Sequence, residues 1–144
     1  MTTLSLILSS KGRDVVTSAP HRTVSEVARM LNDKSIGAVV VTGADGIVLG
    51  IFSERDVIRA LASGGVKALD DSVSKHMTSR VVTATEDTGV LQLMERMTEG
   101  RFRHIPVVEN GRLTGLVSIG DLVKFRIAEI ETERQAMLDY IGTA

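Results

Sequence analysis

The chain has no cysteine, no tryptophan, only 2 prolines and 3% aromatic residues in 144. Without cysteine there are no disulfides, thiolate metal ligands or cysteine nucleophiles, a composition compatible with a reducing compartment. The scarcity of aromatics, with 17 basic against 18 acidic residues and a formal net charge of −1, denies the chain the basic balance and stacking platform of a nucleic-acid binder. No apolar run is long enough to span a bilayer. Leu4-Ser5-Leu6-Ile7-Leu8 lacks a preceding Lys or Arg and a small-residue cleavage site, so it reads as a short helix ended by Gly12 and not as a signal peptide. The expected location is cytoplasmic, with neither nucleic acid nor membrane as partner. His21 and His76 are isolated, without a second ligand at metal-binding spacing.

What is present is a duplication. Gly50-Ile51-Phe52-Ser53-Glu54-Arg55-Asp56 and Gly115-Leu116-Val117-Ser118-Ile119-Gly120-Asp121 share one pattern, Gly, two apolar residues, then Ser-x-x-Asp, at a constant separation of 65 (50 and 115, 53 and 118, 56 and 121). Upstream, Val16 aligns with Val82 and Thr17 with Thr83. Val24, Val27, Ala28 and Leu31 align with Val90, Leu93, Met94 and Met97, an i, i+3, i+4, i+7 stripe that marks one buried helix face in each copy. Thr23-Val24-Ser25-Glu26 has capping-box form; the second copy has Gly89 at that place, and Asp87 or Thr88 is the expected cap. Ile36 to Val41 and Ile47 to Phe52, then Phe102 to Val108 and Leu113 to Val117, read as strand pairs joined at Asp45-Gly46 and Asn110-Gly111. Each repeat is therefore strand, helix, strand, strand, helix, and the fold class is α+β.

At this length the chain suits one module, since either half alone has too little core. The expected divisions are a single 1–144 module with repeat one at 12–62, a linker at 63–78, repeat two at 79–126 and a helical extension at 127–144. In that extension Val123, Ile127, Ile130, Met137 and Ile141 follow four-three spacing, with Arg134 at the remaining seam position. Such a seam wants a partner, and the partner expected is a second copy, giving a homodimer.

Two tandem units that each end in apolar-Ser-x-x-Asp resemble a pair of CBS domains, the modules named after cystathionine β-synthase. The likeness covers about Gly12 to Arg126. Lys11-Gly12, Ser53-Glu54-Arg55-Asp56, Met94-Glu95, the run Arg101 to Val108, and Ser118-Ile119-Gly120-Asp121-Leu122-Val123 narrow it to stand-alone two-CBS proteins of bacteria and organelles. The resemblance implies a non-enzymatic regulatory module, its repeats packed with pseudo-twofold symmetry and usually paired as a disc-like dimer. It also implies two clefts that bind adenosine-containing ligands such as AMP, ADP, ATP, NAD(H) or S-adenosylmethionine. AMP is the first choice, no cofactor is required, and an unidentified regulated protein is the expected partner.

Ser-x-x-Asp carries two readings. Ser at the N-cap with Asp three residues on is a capping box that satisfies helix-start amides with no ligand. The same geometry presents amides and a hydroxyl to a phosphate, while the carboxylate can accept bonds from vicinal ribose hydroxyls. Retention of Ser53, Asp56, Ser118 and Asp121 in one context favours the nucleotide reading. Arg101, Arg103 and His104 can supply forked donors and an imidazole to phosphate, or form a solvated strand edge. By resemblance Arg103 and His104 face ligand phosphates. They lie where the first copy has Gly37 and Ala38, so the clefts differ, and the expectation is that the cleft of Ser118 and Asp121 prefers phosphate. Strand alternation places Arg101 and Arg103 on one face and His104 on the other, unless a bulge or the Pro106 position disturbs it. Arg55 and Lys11 are further phosphate candidates. Ile36, Gly37, Ala38 and Met77 are candidates for an adenine slot, with core packing as the alternative. Thr17, Thr83, Ile105 and Pro106 complete the expected ligand set. An enzyme using Glu54 or Asp121 as base, and a purely structural dimer, remain as alternative functions, although no nucleophile-base-orienter set supports the first.

Overall fold

The computed structural model describes residues 2–143, so the two end residues of the expected module lie outside it. The first half contains β1 (Thr17–Ser18), α2 (Val24–Lys34), β2 (Ala38–Thr42), β3 (Val48–Ser53) and α3 (Glu54–Gly64). It is preceded by α1 (Leu4–Lys11). A short α4 (Val73–His76) leads to α5 (Val90–Gly100), β4 (His104–Glu109), β5 (Arg112–Ser118) and the long α6 (Ile119–Thr143). In the first sheet β1 runs parallel to β2 and β2 antiparallel to β3; β4 and β5 form a separate antiparallel pair.

Local chemistry accounts for most boundaries. At the start of α2 the Glu26 N–H donates to Thr23 Oγ1 (3.1 Å) and the Thr23 N–H to Glu26 Oε1 (3.4 Å), which is the expected capping box. Helix α5 departs from expectation: its N-cap is Gly89 without a side-chain bond. Thr88 Oγ1 instead accepts from the Thr85 N–H, and the Val90 N–H is satisfied by the Thr2 carbonyl at 2.9 Å. Both hairpins turn through left-handed pairs, Asp45-Gly46 (φ 64° and 74°) and Asn110-Gly111 (φ 54° and 79°). Both copies also shift register at the same place, between Val41 and Thr42 and between Val107 and Val108.

The expected first strand of the second repeat does not form. Only Ala84 bridges to Val107, and Val82 and Thr83 stay outside any strand. Pro106 supplies the reason. In the first copy the Val40 N–H donates to the Val16 carbonyl at 3.3 Å. Pro106 stands where Val40 does and has no N–H, so that bond cannot be made and the ladder is shorter.

Each core is completed by a segment from outside its own repeat. Leu4, Ile7 and Leu8 of α1 are buried with Val90, Leu93, Met97, Ile105, Val107, Val117 and Leu122, the core of the second repeat. Val73 of α4 is buried with Val24, Val27, Leu31, Val39, Val41 and Phe52, the core of the first. The anchoring bonds are the same in both halves. Val24 N–H donates to Asp71 and Val73 N–H to Arg22, just as Val90 N–H donates to Thr2 and Leu4 N–H to Thr88 (2.8–3.0 Å). This exchange explains the glycine that heads each repeated motif. A Cβ on Gly50 would stand 2.7 Å from both Met77 Sδ and the Thr78 carbonyl, and a Cβ on Gly115 would stand 2.7 Å from Leu8 Cδ2.

Helix α6 packs on the second core through Leu122 and Phe125. Farther along, Ile127, Ile130, Met137 and Ile141 of the expected seam are between 45% and 67% exposed. Thr2 Oγ1 donates to Glu129 Oε2 at 2.6 Å, tying the start of the chain to the point where this helix leaves the body.

Candidate functional site

Both Ser-x-x-Asp motifs sit where a strand runs directly into a helix, Ser53 into α3 and Ser118 into α6. The first helical N–H in each copy is held by a carbonyl of the same repeat, Glu54 by Gly37 (3.1 Å) and Ile119 by Arg103 (2.9 Å). The carboxylate then closes back on the serine. Asp56 Oδ2 accepts from the Ser53 N–H (2.9 Å) and hydroxyl (3.1 Å). Asp121 Oδ2 accepts from the Ser118 N–H (2.9 Å), while Ser118 Oγ accepts from the Asp121 N–H (3.1 Å). Capping is thus present at both motifs, and what separates them is their surroundings.

The first motif opens on a cleft of about 390 Å³ between the repeats, within the roughly 300–1,000 Å³ range usual for small-molecule sites. One wall is Ser53, Glu54, Arg55, Asp56 and Arg59 at the head of α3, with Gly37 and Thr78 beside them. The other wall is Arg101, Phe102, Arg103 and His104, the connection from α5 into β4. Four guanidinium groups therefore border one cavity at a helix N-terminus, an arrangement suited to an anion. Asp56 is 1% exposed; its Oδ1 accepts from the Thr78 hydroxyl (3.2 Å) and lies 3.2 Å from Arg59 Nη1.

Two expectations are corrected here. Arg103 and His104 line the cleft of Ser53 and Asp56, across the repeat boundary, while His104 also pairs with Ser118 in the β4–β5 ladder and Arg103 borders a further cavity with Ile119, so the two residues do not mark the Ser118–Asp121 cleft alone. Strand alternation also fails to separate them. Arg101 is the left-handed C-cap of α5 (φ 56°) and β4 starts only at His104, so all three residues line one cavity. The His104 imidazole reaches across to the first repeat, where a Cβ on Gly37 would lie 3.4 Å from its Nε2. Burial holds His104 below the usual histidine range, against the opposing pull of Asp121 and Glu54.

Other expected residues lie elsewhere. Ala38 and Ile105 are buried in their strands. Pro106 is also buried, and Thr17 and Thr83 are exposed. Ile36 borders a separate depression between α2 and α3, and Met77 packs on the first core. Arg59, Thr78 and Phe102 line the cleft without having been expected there. Arg59 had a usable signal, since it follows Asp56 by three positions on one helix face. Thr78 had none, because it arrives from the segment between the repeats.

The second motif meets a different neighbour. Lys11 Nζ, at the end of α1, donates to Asp121 Oδ2 (2.6 Å) and to the Leu116 carbonyl (2.9 Å). Burial pushes the Asp121 carboxyl up, but the bonds from Lys11 and Ser118 outweigh it and hold the group below the ordinary carboxylate range. The cavity beside Asp121, about 260 Å³, is lined from α1 and α6 by Ile7, Ser10, Lys11, Lys124, Phe125 and Ala128.

A duplicated α+β unit with a strand-to-helix motif in each copy, one of them facing a cleft between the repeats, is the architecture of a tandem regulatory module. The CBS domain family matches twice, over residues 11–63 and 72–128, so the chain belongs to that family. It is 34% identical over 148 aligned residues to the CBS domain-containing protein CBSX3, mitochondrial, of Arabidopsis thaliana, covering 97% of this chain and 72% of that one. The crystal structure of the CBS-domain containing protein ATU1752 from Agrobacterium tumefaciens superposes with a TM-score of 0.83 at 54% identity, over 87% of this chain and 99% of that one. The CBS domain protein PAE2072 from Pyrobaculum aerophilum, solved in complex with AMP, gives a TM-score of 0.74 at 31% identity, covering 83% and 89% of the two chains.

Proposed function

We propose that the protein is a non-catalytic regulatory module that binds an adenosine nucleotide, AMP as first choice, in the cleft of Ser53 and Asp56. The observation that carries this reading is the composition of that cleft: the motif of one repeat faces the Arg101–His104 segment of the other. In this reading the helix α3 start and the guanidinium groups of Arg55, Arg101 and Arg103 take the phosphate, and Asp56 takes the ribose hydroxyls. Thr78 already holds one Asp56 oxygen with a hydroxyl, so a ribose hydroxyl replaces like with like. Because both repeats line the cleft, an occupied and an empty state differ in how the repeats are held, and a regulated protein can read that difference. The AMP complex of the 31% identical PAE2072 supports the ligand class.

The homodimer belongs to the same proposal, supported by the exposed seam of α6. Cytoplasmic location is checked by fractionation. Thermal melting with adenosine, AMP, ADP, ATP and NAD, alongside a product assay, tests the function. Stabilisation without turnover is the expected outcome. Turnover would make the protein an enzyme, and no response from any nucleotide would leave a structural dimer.

A further inference from the structure

The two halves of the molecule satisfy matching atoms with different donors. In the first half, Thr78 N–H donates to the Ile51 carbonyl (2.9 Å) and the Thr78 hydroxyl to Asp56. Leu116 stands where Ile51 does, and Asp121 where Asp56 does. In the second half one group, the Lys11 ammonium, donates to both. The cause lies in the exchanged arms. The arm of the first core leaves its helix after His76 and bridges to β3 at Thr78, whereas α1 stays helical to Lys11 and delivers a long cationic side chain to the same place.

The substitution has a chemical consequence for ligand binding. At Asp56 an incoming ribose hydroxyl exchanges with the neutral Thr78 hydroxyl, and the exposed Arg59 guanidinium 3.2 Å from the same oxygen stays in place. At Asp121 it would have to displace an ammonium, giving up a charge-assisted bond of about twice the strength of a neutral one and leaving a half-buried charge to be solvated anew. We infer that the second cleft is held shut by its own Lys11, an internal cation seated on the carboxylate that a nucleotide would need, so that each chain binds a single nucleotide. This rests on the nucleotide reading above, and Lys11 acts as the residue that restricts occupancy, not as a phosphate ligand.

Titration calorimetry with AMP on the full chain and on Lys11→Met tests it. The expected result is one equivalent bound by the wild type and two by the variant, the added site being lost again when Asp121→Ala is combined with Lys11→Met. Two equivalents on the wild type, or one on Lys11→Met, would overturn the inference. A second measurement needs no nucleotide: the Asp121 side-chain carboxyl, followed by carbon NMR, should titrate at distinctly higher pH in Lys11→Met than in the wild type. An unchanged midpoint would show that Lys11 does not hold Asp121 and would overturn the inference even if AMP binds. Failure of AMP to bind either protein, with the midpoint shifted as expected, would instead remove the nucleotide reading and the occupancy claim with it.

Discussion

The two Ser-x-x-Asp motifs share their glycine, serine and aspartate and the same backbone hydrogen bonds, yet they have unequal chemical settings. Asp56 is buried between the Thr78 hydroxyl and the Arg59 guanidinium at the edge of a cleft bordered by four arginines; Asp121 is partly exposed and paired with Lys11. Part of the difference lies within the motifs, where Glu54 and Arg55 line the cleft and the second copy has Ile119 and Gly120. The rest comes from what is brought to them, the Arg101–His104 segment of the opposite repeat in one case and the end of α1 in the other. Duplication supplied two similar frames, and a few differing residues set one of them beside a cleft of arginines and the other beside the Lys11 ammonium.

The sharpest way to break this comparison is to remove an exchanged arm. Leu8 lies in the first ten residues but is fully buried in the second core. Leu8→Ala should cost about 2–5 kcal/mol in urea unfolding, the range for large-to-small core changes. A loss below 1 kcal/mol would mean that the second core closes without α1.

Gly50 and Gly115 sharpen the comparison between the arms. A Cβ at Gly50 meets a backbone carbonyl, that of Thr78, which cannot move alone. At Gly115 it meets the flexible end of Leu8. Gly50→Ala should therefore lose roughly 1–3 kcal/mol and Gly115→Ala distinctly less, as read from thermal melting of both. An equal loss would contradict the exchanged packing.

For the extension, Ile130→Glu with Met137→Glu should weaken self-association at least about tenfold, since burying each such side chain is worth roughly 1.5–3 kcal/mol. Light scattering on this variant and on a chain ending at Arg126 decides the matter. A full dimer from both would place the contact on the helices of the repeats.

The smallest expected effect is on pH dependence. Burial lowers the His104 affinity for protons, so below the ordinary histidine value of about 6.5 the unfolded chain takes up a proton that the folded chain refuses. The stability that His104 contributes is therefore complete above that pH and declines as the pH falls beneath it. His104→Gln should flatten the decline in denaturant titrations between pH 7 and pH 5. An unaltered slope would show that His104 is freely solvated.

Much of the fold was legible because its signals are local: the apolar stripes of α2 and α5, the turn pairs and the motif glycines each dictate structure within a few residues. The missing strand at Val82 was legible in principle, since Pro106 lacks the donor that Val40 uses. The exchange of arms was not legible, because Thr3-Leu4-Ser5 and Ser72-Val73-Ser74 match too briefly to be seen as repeats, and only tertiary packing reveals what they cover. The same limit applied to the site. The positions of Ser53 and Asp56 follow from sequence, but which cleft Arg103 and His104 face depends on packing across the repeat boundary.

Calorimetry of AMP binding to Asp56→Ala and to Asp121→Ala, side by side, tests the inequality of the motifs most directly. Loss of hydrogen bonds to a charged acceptor is worth about 1.5–3 kcal/mol, or about ten- to a hundredfold in affinity. The account predicts that loss in Asp56→Ala and an unchanged dissociation constant in Asp121→Ala. Equal losses in the two variants, or a loss confined to Asp121→Ala, would contradict it.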